Sequence, residues 1–365
     1  MNVSCFLCVP SLGRLACTAS PFREVLPMCV STSAAKAACT RSTRVPLHFA
    51  CGAGPQVVAA LLTANPGAAS QRDANGRRPL HYAAACGAES EVVVMLLQEY
   101  PSAAGLPAEF DRFPLHLAIQ NRAGPEVVIA LLRACPDAAS HREEEHGKSP
   151  LHYAIEKDAG LSVVAALLQA YDGAASTADW CGQLPLHYAA QHQAGLEVVA
   201  ALIQAYPEAA RMAEQEEGKL PLHYAVGKQA GLKVVAALLQ ACLQAASTAD
   251  FCGQLPLHCA AQHQAGLDVV TALIQAHPEA ASTADEEEGK LPLHYAAEKQ
   301  AWSKVVKELL EACPDAASTA DKVRCGAVLG RCACIVCGVL QVIVCKFGSY
   351  VCTFAYIEFL MHIRI

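Results

Sequence analysis

Apolar residues recur along most of the chain with the spacing of one helix face. In the segment Leu196–Ala205 the apolar side chains are Val198, Val199, Leu202 and Ile203, which fall at i, i+1, i+4 and i+5. A stripe of this width and period is typical of an amphipathic helix that packs against neighbours on two sides. The same pattern returns in almost every stretch of about 35 residues, so we expect a series of similar helices.

A shorter helix is predicted ahead of each such stripe. In the same unit, Pro185 suits the first helical position because its missing N–H has no partner there in any case, and Leu186–Gln193 continue as a helix. Ala194 and Gly195 then turn the chain into the second helix. Pro207 cannot continue that second helix and is expected to end it.

The tripeptide Pro-Leu-His marks the start of eight such units. It begins at Pro46, Pro79, Pro114, Pro150, Pro185, Pro221, Pro256 and Pro292, in steps of 33, 35, 36, 35, 36, 35 and 36 residues. An all-α repeat protein is therefore expected, in which each unit packs only on its neighbours. The residues expected to form the repeated structural core are Pro79, Leu80, His81, Pro185, Leu186, His187, Pro221, Leu222, His223, Pro256, Leu257, His258, Pro292, Leu293 and His294.

The repeats also alternate in pairs. Residues 179–196 and 250–267 differ at two positions only, at an offset of 71 residues. One kind of polar connector is acidic, with Glu residues at 143–145, 216–217 and 286–288. The other kind is aromatic and Cys-containing, at Trp180-Cys181 and Phe251-Cys252.

The sequence Asp73-Ala74-Asn75-Gly76-Arg77-Arg78-Pro79-Leu80-His81-Tyr82-Ala83-Ala84 resembles the ankyrin repeat, and the resemblance covers residues 45–321. It implies a solenoid of about eight stacked helix-turn-helix units joined by β-turn fingers, and a role in binding other proteins. Two features depart from the family pattern. The position before each Pro-Leu-His holds a hydroxyl only at Ser149, and most units are two or three residues longer, with a Pro-x-Ala-Ala segment after the second helix.

No set of residues predicts catalysis, a cofactor or a metal site. The eight histidines of the Pro-Leu-His marks lie on different repeats, and packed helices are about 8–10 Å apart, so one ion cannot gather them. We expect these histidines to bond backbone groups near the turns, as the resemblance implies. The catalytic motifs of hydrolases, metalloproteases and dinucleotide-binding enzymes do not occur.

Charge points to a protein partner. The formal net charge of −7 gives no general attraction to nucleic acid, which is usually bound by a basic surface. Acidic clusters alternating with aromatic residues favour a partner segment that carries basic and apolar side chains. The candidate binding residues are Glu144, Glu145, Trp180, His192, Glu216, Glu217, Phe251, His263, Glu287 and Glu288. Under the alternative interpretation the glutamates only keep the protein soluble and the aromatic rings cover the neighbouring turn.

The two ends of the chain differ from the repeats. Residues 1–44 are irregular and basic, with a transit peptide as one interpretation. Residues 322–365 are apolar and rich in Cys, which leaves two interpretations: a membrane anchor within residues 325–365, or translated intron sequence. The 19 cysteines are an odd, unevenly spread set, which favours a reducing intracellular compartment, the cytoplasm or the nucleus.

These observations together predict a non-catalytic scaffold for protein–protein interaction. The expected binding surface is the concave one formed by the fingers and the first helices. The alternative is an adaptor that the tail tethers to a membrane.

Overall fold

The computed structural model describes residues 44–301 and 303–319, and within these ranges the regular structure is entirely helical. The all-α prediction is therefore confirmed. The apolar tail predicted at 322–365 lies outside the described residues, as does the irregular segment predicted at 1–44 except for its last residue, Arg44. In the part of the chain that the structure describes, no helix is long and apolar enough to cross a lipid bilayer.

Each of the eight repeats contains two antiparallel helices. The first helices are α1 (Pro46–Ala50), α3 (Pro79–Cys86), α5 (Pro114–Gln120), α7 (Pro150–Glu156), α9 (Pro185–Gln191), α11 (Pro221–Gly227), α13 (Pro256–Gln262) and α15 (Pro292–Glu298). The second helices are α2 (Pro55–Ala64), α4 (Ser90–Glu99), α6 (Pro125–Ala134), α8 (Leu161–Ala170), α10 (Leu196–Ala205), α12 (Leu232–Ala241), α14 (Leu267–Ala276) and α16 (Ser303–Ala312). First helices pack on first helices and second helices on second helices, so the core is continuous along the stack.

The histidine of each Pro-Leu-His mark fixes the start of a first helix. In the fifth repeat, Nδ1 of His187 accepts a hydrogen bond from the backbone N–H of Leu184 at 3.0 Å, and the other seven histidines make the same contact. This bond places the proton on Nε2. In six repeats Nε2 then lies 2.9–3.2 Å from a carbonyl oxygen in the following connector, as for His223 and Gln254. The expected structural role of these histidines agrees with this geometry.

Small side chains allow the helices to approach closely. Leu186, Ala189 and Ala190 of α9 are buried, and Val199 and Leu202 of α10 face them. Alanine adds little side-chain entropy cost and fills the narrow space between first helices, while the leucines supply most of the buried apolar area. Stability should therefore come from repeated interfaces between neighbouring units.

The predicted bounds of the second helix of the fifth repeat, Leu196–Ala205, agree with the structure. The short helix that follows it was not predicted. The chain continues past Ala205 as a short 3-10 helix, Pro207–Arg211, and the equivalent segment recurs after every second helix. Ala209 and Ala210 in this segment are buried. The Pro-x-Ala-Ala segment is therefore part of the core, and it is present in the 33-residue first step as well, as Pro66–Ser70.

In six repeats a non-glycine residue with a left-handed backbone follows the first helix, and in three of them its side chain reaches the next repeat. Helix α9 stops at Gln191, and Gln193 has φ of 56°, a region that glycine usually occupies. The side-chain amide of Gln193 donates to the carbonyl of Lys228 at 2.6 Å, and those of Gln229 and Gln264 make the same bond one and two repeats later. These inter-repeat bonds offset the cost of the strained backbone.

Candidate finger surface

Seven polar connectors join the eight repeats, and we call them fingers. They are finger 1 (residues 73–77), finger 2 (108–112), finger 3 (143–148), finger 4 (179–183), finger 5 (214–219), finger 6 (250–254) and finger 7 (285–290). Their exposed tips form a row along one side of the stack, which we call the finger surface.

A buried carboxylate holds six of the seven fingers in shape. Asp179 is 7% exposed, and its Oδ1 accepts the backbone N–H groups of Cys181 and Gln183 at 3.0 and 2.8 Å. In finger 5, the 1% exposed Glu214 accepts three backbone N–H groups at 2.7–3.0 Å. Such charge-assisted bonds satisfy backbone donors that the tight turn leaves without partners. The first acidic residue of a finger is therefore structural in fingers 1 and 3 to 7, at Asp73, Glu143, Asp179, Glu214, Asp250 and Asp285.

This geometry explains why the repeat spacing alternates between 35 and 36 residues. In fingers 4 and 6, which carry Trp180 and Phe251, the buried acid precedes the Pro-Leu-His mark by six residues, as Asp179 precedes Pro185. In fingers 3, 5 and 7, which we call the acidic fingers, it precedes the mark by seven residues, as Glu214 precedes Pro221. The extra residue of the longer step therefore lies in the turn, and the helices keep their length.

Glu143 and Glu214 differ from their neighbours in accessibility. The sequence groups Glu143 with Glu144 and Glu145, but Glu143 is 0% exposed and points into the turn. The other candidate acids lie at the tips: Glu144, Glu145, Glu216, Glu217 and Glu287 are exposed and Glu288 is half-buried. Surface lysines pair with some of them, as Lys219 does with Glu217 at 2.7 Å and Lys290 with Glu288 at 2.5 Å.

Replacing the buried and the exposed carboxylate of one finger should separate these two roles. Glu214→Gln removes the charge that three backbone N–H groups share, and we expect a loss of about 2 kcal/mol in the free energy of unfolding. Glu216→Gln, two residues away on the exposed tip, should change it by less than about 0.5 kcal/mol. Urea unfolding of both variants measures the difference, and equal losses would contradict the structural role of Glu214.

Backbone hydrogen bonds connect each finger to the next. The N–H of Trp180 donates to the carbonyl of His146 at 3.0 Å, and that of Phe251 donates to Glu217 at 2.9 Å. The same bond occurs at all six junctions from finger 1 to finger 7. The fingers therefore form a continuous row whose tips keep a fixed spacing.

Trp180 and Phe251 each lie on the glycine of the preceding acidic finger. A Cβ placed on Gly147 would lie 2.6 Å from Cδ2 of Trp180, and one on Gly218 would lie 2.6 Å from Cε1 of Phe251. The indole N–H of Trp180 also donates to the carbonyl of Glu144 at 3.3 Å. Both rings nevertheless remain largely accessible, at 55% for Trp180 and 69% for Phe251.

Phe110 on finger 2 is a third exposed aromatic residue of the finger surface, which the sequence pattern did not single out. Its side chain is 47% exposed, and its φ of 60° is unusual for a residue with a bulky side chain. It lies 70 residues before Trp180, close to the two-repeat offset, and that spacing was the available signal. Aromatic tips therefore occur on fingers 2, 4 and 6 and acidic tips on fingers 3, 5 and 7.

A groove of about 440 Å³ lies between fingers 3 and 4 and the ends of the adjacent first helices. It brings together three of the candidate residues, Glu145, Trp180 and His192. His192 is exposed, stacks on Tyr188 with ring centroids 5.9 Å apart, and has its pKa lowered by partial burial. The groove does not include Phe251 or His263. His263 occupies the position equivalent to His192 two repeats later, and it is also exposed.

Cysteines of the aromatic fingers contact acids of the following finger. The Cys181 thiol bonds Glu216, and this bond raises the pKa of Cys181 to about 11. Cys252 bonds Glu287 in the same way, which raises its pKa as well. A raised pKa leaves little thiolate at neutral pH, so these two thiols are poor nucleophiles.

The chain is similar to known repeat proteins in sequence and in structure. A family model described as "Ankyrin repeats (3 copies)" matches residues 22–105 and 222–320, which together make up half of the chain. The ankyrin repeat domain of Bcl-3, described as a member of the IkappaB protein family, has a TM-score of 0.50 and 24% identity; the match covers 64% of this chain and 99% of that domain. The human ASB11 ankyrin repeat domain has a TM-score of 0.50 and 20% identity, with 64% and 98% covered.

A comparison with curated proteins yields no match to this chain. The similarity to the two solved domains concerns the fold. The family model, the eight Pro-Leu-His marks and the stacked helix pairs with connecting fingers agree with one another. The chain belongs to the ankyrin-repeat family.

Proposed function

We propose that this protein is a non-catalytic interaction scaffold that binds another protein along its finger surface. Repeat stacks of this kind present extended surfaces for binding rather than enclosed catalytic clefts. The finger tips carry side chains well suited to binding a protein, because exposed aromatic rings contribute large contact areas and acidic groups attract a basic partner.

The observation that carries the proposal is the alternation of aromatic and acidic tips on six consecutive fingers. A solubilising role alone requires acidic residues but gives no reason for large rings at 47–69% exposure between them. A partner segment with alternating apolar and basic side chains would match this order. Because backbone bonds fix the spacing of the fingers, the surface is organised before binding, which lowers the entropic cost of association.

Affinity capture with the full-length protein tests the proposal. We expect a protein that the wild type captures from cell lysate to be lost, by about tenfold or more, when Trp180 and Phe251 are both changed to Ala, because truncating two central aromatic residues removes hot-spot contacts. The matched control is Leu243→Ala, which truncates a 57% exposed apolar side chain outside the fingers. Equal capture by all three proteins, quantified by mass spectrometry, would contradict the finger surface as the binding site.

A further inference from the structure

Two of the three aromatic finger tips carry an arginine of this chain over the ring. The guanidinium carbon of Arg112 lies 5.5 Å from the ring centroid of Phe110, and that of Arg142 lies 4.7 Å from the ring centroid of Trp180. Arg142 is further fixed by a bond from its guanidinium to the carbonyl of Ala178 at 3.0 Å. An arginine in this position is attracted by the electron-rich face of the ring.

Phe251 lacks this arginine although its surroundings repeat those of Trp180. At the two-repeat offset of 71 residues, Ala213 replaces Arg142, and Gln254 stands where finger 2 has Arg112. Among residues 44–301 and 303–319, no Lys or Arg lies over the Phe251 ring. Phe251 is also the most exposed of the three rings, at 69%.

The surroundings of Phe251 also carry more negative charge than those of Trp180. Beside Trp180, the surface acids Glu144, Glu145, Glu216 and Glu217 of fingers 3 and 5 are accompanied by three cations, Arg142, Lys148 and Lys219. On the fingers beside Phe251, the acids Glu216, Glu217, Glu286, Glu287 and Glu288 face two cations, Lys219 and Lys290. The Phe251 site therefore has an excess of three negative charges, where the Trp180 site has an excess of one.

We propose that Phe251 is the docking point for an arginine side chain of the partner, which takes the place that Arg142 takes over Trp180. The guanidinium stacks on the exposed ring and lies between the carboxylates of fingers 5 and 7. The equivalent finger two repeats earlier supports this arrangement, because there the Arg142 guanidinium lies over the Trp180 ring. The inference rests on the proposed function and names the chemistry of one contact within it.

The test places an arginine of this chain over the Phe251 ring, where it would block an arginine of the partner. In the full-length protein, Ala213→Arg should place a guanidinium over Phe251 with the carbonyl of Ala249 as its acceptor, equivalent to that of Ala178. The probe is a short fluorescent peptide of alternating serine and arginine, measured by fluorescence anisotropy. Its affinity should fall about fivefold in Ala213→Arg and in Phe251→Ala. A peptide with citrulline in place of arginine, which has the same shape without the charge, should bind neither variant nor wild type.

Two controls separate the site from its surroundings. Gln240→Arg adds the same charge on an exposed position of the second helix α12, and it should leave the affinity within about twofold of the wild type because exposed charges are screened over short distances. Trp180→Ala should also leave it unchanged, because Arg142 already occupies that ring. Equal affinity in the wild type, Ala213→Arg and Phe251→Ala would overturn the inference, as would no binding of the arginine peptide to the wild type.

These outcomes are distinguishable from failure of the proposed function. A captured protein that depends on Trp180 and Phe251 but is unaffected by Ala213→Arg would leave the finger surface as the binding site and refute the arginine contact. Loss of that protein on Ala213→Arg, with retention by Gln240→Arg, would support both.

Discussion

Lowering the pH from about 7.5 to 5 should strongly destabilise the repeat stack. Burial lowers the pKa of six Pro-Leu-His histidines below their ordinary value of about 6.5. The pKa falls to about 3 for His81, to about 4 for His116, His152, His187 and His223, and is also lowered for His258. All six are neutral in the folded state because each Nδ1 accepts a backbone N–H.

The direction of the pH effect on stability follows from proton linkage. Below a pH of about 6.5 the unfolded chain protonates its histidines while the folded chain does not, so acid favours the unfolded state until the folded pKa near 4 is reached. Each histidine with a folded pKa of about 4 then costs about 2 kcal/mol at pH 5. The five histidines whose pKa falls to about 3 or 4 together cost about 10 kcal/mol, which is comparable to the stability of about 5–15 kcal/mol that is typical of a domain.

Urea unfolding followed by circular dichroism at several pH values measures this effect. The free energy of unfolding should fall by several kcal/mol per pH unit between pH 6.5 and 4.5. His277→Gln, which removes a histidine outside the Pro-Leu-His marks, is the matched control and should leave most of the slope unchanged. A free energy that stays constant down to pH 4.5 would show that these histidines are not buried as neutral groups.

Gly218→Ala should destabilise the protein by about 2–3 kcal/mol, for two separate reasons. Gly218 has φ of 69°, which costs a residue with a Cβ about 1 kcal/mol or more. The added methyl group would also displace the Phe251 ring, since the Cβ position lies 2.6 Å from Cε1 of that ring. The substitution therefore strains finger 5 and disturbs finger 6 at the same time.

Gly231→Ala is the control for this experiment. Gly231 has φ of −62°, and nothing lies within 4 Å of the Cβ position, so alanine there should change the free energy of unfolding by less than about 1 kcal/mol. The double variant Gly218→Ala with Phe251→Ala should recover part of the loss, because the clash is removed and the backbone strain remains. Equal stability of Gly218→Ala and Gly231→Ala would contradict the packing of the ring on the glycine.

The sequence predicts the repeat architecture well because local rules act in the same direction in every unit. Proline at the first helical position, histidine two residues later and a helical stripe ending at Ala205 each specify one part of the repeat. Eight copies then reinforce one another, since an error in one unit would break the register of the others. The second helix of the fifth repeat accordingly has the predicted bounds.

The finger surface is less predictable because neighbouring glutamates look alike in the sequence. Which of three consecutive acids turns inward depends on the path of the backbone, and Glu143 is buried beside the exposed Glu144. Alignment with Asp179 identifies the inward position once the extra residue of the acidic fingers is recognised. Phe110 was missed because finger 2 lacks the Trp-Cys or Phe-Cys pair of fingers 4 and 6, and its left-handed backbone gives no local sequence signal.

The most direct test of the central claim is the salt dependence of association between the full-length protein and its captured partner. Changing Glu216, Glu217, Glu287 and Glu288 to Gln should slow association and flatten its dependence on ionic strength, because these acids attract the partner before contact. The control converts four exposed acids outside the fingers to amides: Glu99, Asp137, Glu197 and Glu279. An association rate and salt dependence that the finger variant shares with the wild type would contradict binding at the finger surface.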